Sequence, residues 1–455
     1  MYALRDYQIR AVEAGRRALT AGRNGILVLP TGSGKSLVIA SLLLDLPGNS
    51  LVLQPTKEIL EQNLGKAQAF GFTDLGVWSA SCGRKDLGKV TFAMVGSIMR
   101  HREAFHCFDR IVVDEAHRVD SKGGMYESLI RGLGVPVVGC TATPWRMRSY
   151  MNQTTGEPVA ESHILTRTRP RIFDAISHVT PIQDLAAGGF WCPLAYEANP
   201  DYDSSEIAAN STGQDFDEDA LRSYHEAKRV VRKVVDAVLG VPAKHVLVFT
   251  RFREESAQVI ELLTAAGVAC EEVSAETTKR DRERLIGGFR SGAIRCVVNV
   301  GVLTTGFDFP DLDCVILGRP TKSVALYYQM TGRGVRPAPG KPTCRLIDLC
   351  GNVKQFGRVE SFRLIDQTGR GLWELRSEKG LLTGVNLSPT SGSRATDHGP
   401  AQTVDPNLVV SFGKFEGKTL SNLPAWYLKW GSEKLHGKWL GVFQAEMQRR
   451  KSCGW

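Results

Sequence analysis

Ten cysteines are scattered along the chain, but no two form a C-x-x-C pair. Their spacing gives no zinc ribbon and no disulfide framework, so no zinc is expected and the setting reads as a reducing cytoplasm. No apolar run reaches the roughly 18 residues of a membrane span. The longest candidate, "SLVIASLLLDLP", suits a buried helix, and no membrane partner is expected. The first stretch, "MYALRDYQIRAVEAGRRALTAG", is broken by charges and lacks the apolar centre of a signal peptide. Negative charge is in deficit: 48 Asp and Glu face 57 Lys and Arg, a net charge of +9. That balance favours a polyanionic partner, although basicity alone does not single out nucleic acid.

What is present is a grammar of short apolar strands. A first block offers "GILVLP" (25–30), "SLVLQP" (50–55), "VTFAMV" (90–95), "RIVVDEA" (110–116) and "VPVVGCTAT" (135–143). A second offers "HVLVFT" (245–250), "CVVNVGV" (296–302), "CVILGR" (314–319) and "CRLIDLC" (344–350). Runs of Val, Ile and Leu without alternation suit strands buried on both faces. With helical stretches between them they predict two parallel α/β sheets in tandem.

Four motifs carry chemistry. In "LVLPTGSGKS" (27–36) a strand enters a Gly-rich loop. Its backbone N–H groups, freed by Gly32 and Gly34, can wrap phosphate oxygens at a helix start. Thr31 and Ser33 belong to the same loop, Lys35 would reach the β/γ-phosphates and the Ser36 hydroxyl would hold Mg²⁺. The strict P-loop pattern is not met, because position 29 is Leu. "IVVDEAH" (111–117) ends a strand in paired carboxylates. Asp114 can join an Mg²⁺ shell and Glu115 can orient or deprotonate an attacking water. In "LRDYQ" (4–8), Gln8 could read an adenine edge with Arg5 assisting, or be a solvated helix start. Late in the chain "YYQMTGRGVRP" places Gln329, Arg333 and Arg336 at i, i+4 and i+7, one face of a helix if Gly332 and Gly334 do not interrupt it.

The order Gln8, "PTGSGKS", "DEAH", "TATP" (141–144), "VFTRFREES" (249–256), "VGVLTTGFDFP" (300–310), "QMTGRGVR" (329–336) resembles that of a superfamily 2 helicase of the DEAH-bearing branch, over roughly residues 1–350. Within it the stretch from "VNVGVLTTGFDFP" to "RPAPGK" is most similar to RadD-type bacterial DNA-repair ATPases and phage relatives. Those proteins carry a longer, cysteine-bearing C-terminal region that this tail lacks.

The resemblance implies ATP and Mg²⁺ as cofactors, held by Thr31 to Ser36 with Asp114 and Glu115, and Gln8 with Arg5 at the adenine. It makes His117, Thr141 and Thr143 the elements coupling hydrolysis to domain movement. Gly306 and Asp308 fall near the ribose. Gln329, Arg333 and Arg336 match the element that reaches the γ-phosphate from the second domain. Pro55, Thr56, Gly96, Ser97, Thr250, Arg251 and Thr304 fall where the family grips a nucleic-acid strand. The implied activity is an ATP-dependent helicase or translocase, with DNA favoured over RNA, in a bacterial cytoplasm or that of a phage host. An ATP-gated clamp and a motor subunit of a restriction or recombination complex use the same motifs.

The expected division is a first RecA-like domain at 1–197, a linker or surface excursion at 198–224, and a second RecA-like domain at 225–366. A flexible connector follows at 367–407, then a small basic, Trp-rich module at 408–455. Within the 198–224 stretch, residues 198–220 are polar and acidic, and "LSPTSGSRATDHGPAQTVDP" (387–406) is rich in Ser, Thr, Gly and Pro. The tail "FGKFEGKTLSNLPAWYLKW" resembles a small uncharacterised module appended to phage and bacterial nucleic-acid enzymes. Its Lys414, Lys418, Lys429 and Lys434 interleave with Phe412, Phe415, Trp426, Tyr427 and Trp430. Either the aromatics form a core under solvated lysines, or the two together clamp phosphates and stack bases. A replication or repair protein is a further candidate partner for this module.

Overall fold

The computed structural model describes residues 3–383 except 45, 153–155, 157, 303–308 and 370, and residues 408–450 except 411–412, 435–438, 440–441, 444–445 and 448–449. The chain divides into two compact units, Met1–Gly392 and Ser393–Trp455.

The first unit holds two RecA-like α/β domains in tandem. Strands Gly25–Val28 (β1), Ser50–Gln54 (β2), Leu75–Ser79 (β3), Arg84–Asp86 (β4), Val90–Met94 (β5), Arg110–Asp114 (β6) and Val137–Thr141 (β7) lie in the first domain. There follow a hairpin, Trp145–Met151 (β8) with Pro158–Ile164 (β9), and Ala175–Val179 (β10). The first sheet runs β10-β1-β7-β6-β2-β5-β3-β4, parallel except where β4 joins the edge. Its central strands are buried on both faces, as their unbroken aliphatic runs require. Val28 pairs with Thr141 and Asp114 with Cys140, so β1, β7 and β6 end level with one another. The loops leaving those carboxyl ends therefore start side by side, where ligands of open α/β sheets bind.

The second domain is built from Leu194–Ala198 (β11), Val246–Thr250 (β12), Cys270–Val273 (β13), Cys296–Asn299 (β14), Cys314–Gly318 (β15) and Cys344–Asp348 (β16). They form an all-parallel sheet in the order β11-β16-β15-β12-β14-β13. A three-stranded antiparallel sheet of Arg363–Asp366 (β17), Trp373–Ser377 (β18) and Gly380–Leu381 (β19) closes the unit.

Three expected boundaries change. β11 precedes residue 198 yet pairs with β16, so the second domain starts before the proposed linker. Within 198–224, Tyr202, Ile207, Phe216 and Leu221 are buried in the second domain's core. Their acidic neighbours mask this in a composition reading, because the apolar residues are spaced too far apart to form a run. The expected connector from 367 begins with ordered strands, β18 and β19, whose Leu375 and Leu382 are buried.

The helix carrying the late arginines also differs from expectation. It spans Val324–Thr331 and stops at Gly332, leaving Arg333 and Arg336 beyond its end rather than on its face. The Thr331 hydroxyl bonds back to the Tyr327 and Tyr328 carbonyls. A β-carbon on Gly332 would lie 2.8 Å from the Tyr328 carbonyl and 3.0 Å from the Thr31 hydroxyl. One on Gly334 would lie 2.7 Å from the Cys344 sulfur. Both glycines permit close packing of a turn, not a longer helix.

The second unit has its own small core of Val410, Leu420, Leu423, Tyr427, Leu428 and Phe443. Helix Ala425–Lys434 supplies Tyr427 and Leu428 to it. Trp426 and Trp430 do not join that core; they are 57% and 43% exposed. The core reading of the module thus holds for Tyr427 and fails for these two tryptophans.

Candidate nucleotide site between the two sheets

Helix Lys35–Leu43 begins directly after the Gly-rich loop, with Gly34 in the left-handed region at φ 77° as its cap. Gly32 is left-handed as well, at φ 81°. These conformations aim successive backbone N–H groups into the loop's concavity. Lys35, the first helical residue, reaches the end of β6. Its ammonium lies 3.1 Å from an Asp114 carboxylate oxygen and is hydrogen-bonded to Glu115. Burial pulls the Lys35 pKa down, but the two carboxylates outweigh it and the net shift is upward. The lysine is a fixed cation.

Asp114 is 2% exposed. Burial raises its pKa and Glu115 adds to the rise, against the opposing pull of Lys35 and Asn63. The Asn63 amide donates to its second oxygen at 2.8 Å, which fixes the carboxyl plane. Glu115 is held in the left-handed region at φ 52°, rare for a residue with a β-carbon, and its amide donates to the Asp114 side chain at 2.8 Å. Such a backbone costs of order 1 kcal/mol and persists where the surroundings enforce it. Burial pushes the Glu115 carboxyl up, but Lys35, His117 and Arg333 draw it below its ordinary value.

Next to it, burial holds the His117 pKa at about 4 despite Glu115. The neutral ring with its proton on Nδ1 can donate to the Thr141 hydroxyl, 3.1 Å away. Its Nε2 then accepts from the Gln329 amide at 3.4 Å. The Thr141 hydroxyl also accepts from the Thr143 amide at 3.1 Å. One polar chain therefore runs from Thr143 and Thr141 through His117 to a side chain of the second domain.

The second domain touches the phosphate loop directly. The Thr31 amide donates to the Tyr328 hydroxyl at 3.4 Å. A β-carbon on Gly32 would meet the Arg336 side chain at 3.8 Å. Arg333 is 6% exposed.

Gln8 sits behind the phosphate loop and braces it. Its amide nitrogen donates to the Ser33 carbonyl at 2.8 Å and its oxygen accepts from the Arg5 amide at 3.0 Å. Tyr7 donates to the same carbonyl at 2.9 Å. Arg5 stacks over the Phe190 ring, 3.5 Å from its centroid. In this arrangement the Gln8 amide props the loop from behind, and each of its ends keeps one further hydrogen-bonding site, a second N–H and a second oxygen lone pair.

Residues matched to a strand grip lie at the carboxyl ends of neighbouring strands, β2 and β5, and of β12. Thr56 caps helix Lys57–Ala69. Gly96 is exposed, and the Ser97 hydroxyl accepts from Ala80. Pro55 is half-buried and Thr250 buried. Arg251 is ion-paired with Asp215 at 3.4 Å and Glu218 at 3.1 Å, acids that no sequence motif pointed to. Thr304, Gly306 and Asp308 lie outside the described residues.

Asn63, Tyr7 and Tyr328 were not predicted. Asn63 shares the buried stripe of its helix with Ile59, Leu60 and Ala67. An asparagine on an apolar stripe is the one signal that could have exposed it.

The site fits a magnesium nucleotide. Asp114 and Ser36 supply the hard oxygen ligands that Mg²⁺ takes. The carboxylates already hold the Lys35 ammonium as a cation. Among the described residues the buried Ser33 hydroxyl has no hydrogen-bond partner. At Gly34 the backbone φ of 77° favours glycine, and a β-carbon there would displace the Gln8 amide, 2.6 Å away.

Residues 1–146 match the family described as "Type III restriction enzyme, res subunit" and residues 229–338 the "Helicase conserved C-terminal domain". The chain is 27% identical over 377 residues to the "Putative ATP-dependent helicase IRC3" of Saccharomyces cerevisiae, covering 76% of this chain and 51% of that one. It is 26% identical to a "51.5 kDa protein" of a Lactococcus phage, covering 78% and 71%. It is 28% identical to the "DNA 3'-5' helicase XPB" of Kineococcus radiotolerans, covering 69% and 54%. The chain thus spans about half the length of the yeast relative. Among solved structures, a putative HsdR subunit of a type I restriction enzyme from Vibrio vulnificus shares the fold, with a TM-score of 0.57 at 18% identity over 82% of this chain and 67% of that one. The Type ISP restriction-modification enzyme LlaBIII bound to DNA does so at 0.55 and 19% identity, over 76% and 28%. With a phosphate loop and acid pair on one sheet and an arginine-bearing turn on the next, matched in order along both halves, the chain belongs to the superfamily 2 helicases.

Proposed function

We propose that this chain is an ATP-dependent nucleic-acid helicase or translocase that acts on DNA and couples ATP hydrolysis to movement along a single strand. The observation that carries the reading is that Tyr328 and Gln329 of the second domain bond Thr31 of the phosphate loop and His117 of the first, with the Arg336 side chain beside Gly32. The names of the relatives support it: one is named "DNA 3'-5' helicase XPB" and one "Putative ATP-dependent helicase IRC3".

Bound Mg²⁺ and ATP supply the transferable phosphoryl group and the counter-charge that it needs. Ser36 and Asp114 would hold the metal, Lys35 would engage the phosphates, and Glu115 would take the proton of the attacking water. Arg333 and Arg336 would neutralise charge on the γ-phosphate from across the cleft. Because they come from the second domain, closure then depends on the nucleotide, and His117 with Gln329 would pass that state to Thr141 and Thr143.

The test is ATP turnover by the purified chain on single-stranded, duplex and forked DNA and on RNA, beside strand-separation and streptavidin-displacement assays. Turnover with displacement supports a motor; nucleotide-dependent binding with neither output leaves an ATP-gated clamp. A second reading, a motor subunit of a restriction complex, draws on the match of residues 1–146. It predicts no turnover on DNA by the chain alone.

A further inference from the structure

We propose that the exposed tryptophan face of the second unit stacks the bases of single-stranded nucleic acid, as a contact separate from the motor. Trp426 and Trp430 stand four residues apart on helix Ala425–Lys434, hence on one face. They are 57% and 43% exposed, in a unit whose core is built from other residues.

Their rings are held from within. Tyr427, buried, stacks on Trp430 with centroids 5.2 Å apart and planes 15° from parallel. It meets Trp426 edge-on at 5.6 Å and 77°, and Phe415 meets Trp426 edge-on at 5.9 Å. Rings fixed by packing lose little freedom when a ligand stacks on them.

The charge around them names the occupant. The Lys414 ammonium lies 5.8 Å from the Trp426 ring centroid and that of Lys418 5.9 Å from the Phe415 centroid. Lys414, Lys418 and Lys429 are all exposed. Residues 408–455 carry eight Lys and Arg against three Asp and Glu. An apolar protein face would use the rings and leave the lysines without a role. A single strand uses both, with bases on the indoles and phosphates on the ammoniums. A duplex hides its base faces, so the site discriminates in favour of unpaired strand.

This contact serves the substrate class of the proposed motor, but it needs no ATP, so the two can fail separately. The probe is a fluorescein-labelled oligothymidylate of about 20 nucleotides, titrated by anisotropy against the full chain without nucleotide. Trp426→Ala and Trp430→Ala should each weaken binding about tenfold, while Trp426→Phe keeps most of the affinity. Lys414→Gln should lower the slope of log affinity against log salt by about 0.7. The chain's tryptophan fluorescence should be quenched by the oligonucleotide, and less so in the variants. ATP turnover without DNA should be unchanged in all of them.

Unchanged affinity in the double alanine variant overturns the proposal. So does an equal loss on blunt duplex, or loss of a protein partner with DNA affinity intact. Should Trp430→Ala disturb the unit through Tyr427, as limited proteolysis would reveal, Trp426→Ala and Lys414→Gln decide the matter. Failure of the motor reading would appear instead as absent DNA-stimulated turnover with this binding retained.

Discussion

The Tyr328 hydroxyl accepts a hydrogen bond from the Thr31 amide at 3.4 Å, joining residues 297 positions apart. Thr31 opens the phosphate loop, and Tyr328 closes the last turn of the helix that leads to Arg333 and Arg336. The helix stops where it does because Gly332 must pass beside Thr31 with no β-carbon between them. Packing, rather than helical periodicity, therefore delivers the two arginines to the cleft.

From that geometry, Arg336→Ala should lower the rate of ATP hydrolysis by about 10³-fold or more. ATP binding should change far less, since the contact matters most once charge develops on the γ-phosphate. Single-turnover hydrolysis alongside equilibrium nucleotide binding checks this. An equal fall in both would remove the cross-cleft role.

Lys35→Ala and Glu115→Gln should each abolish turnover by different routes. The first deletes the cation that sits between the buried Asp114 and the half-buried Glu115 carboxylates, so some loss of stability accompanies the loss of rate. The second keeps shape and removes the base, with an expected loss of about 10² to 10⁴ in rate and ATP affinity preserved. Normal turnover in either variant would dissociate the site from the chemistry.

Asn63 acts through Asp114 and is a positioning residue. Asn63→Ala leaves an Asp114 oxygen buried without its amide donor. The Mg²⁺ concentration for half-maximal turnover should then rise about tenfold or more. Rate at saturating Mg²⁺ should recover most of its value. A uniform drop at every Mg²⁺ concentration would indicate a merely structural role.

The sequence exposes the middle of each sheet far better than its rims. Central strands such as β2, β12 and β15 are buried throughout and read as largely aliphatic runs. β11, "LAYEA", is half-exposed at a sheet edge, and β13, "CEEV", carries two glutamates at the opposite edge, so neither shows such a run. Lys35, Asp114, Glu115, His117 and Thr141 are legible because their chemistry needs fixed local spacing on level strand ends. Asn63, Tyr7, Tyr328 and the Arg251 acids are illegible because only folding brings them to their partners. Gly332 marks the limit between the two cases: visible as a helix breaker, but with its reason 301 residues away in Thr31.

Lys322 offers a test of stability rather than catalysis. It is 1% exposed, its ammonium has no hydrogen-bond partner among the described residues, and it lies 5.1 Å from the Phe216 ring centroid. Burial pulls its pKa from 10.5 to about 8, with Asp215 opposing only in part. Between those values the unfolded chain holds more protons than the folded one, so stability rises with pH across that window. Below about pH 8 the full penalty is present, of order 3 kcal/mol. Lys322→Met should therefore raise the thermal midpoint near pH 7, with a gain that shrinks steadily towards pH 10.5. Thermal melts of both proteins across that range check it. A gain independent of pH would place the benefit in packing alone, and a loss of stability would mean that the buried ammonium is held by its surroundings after all.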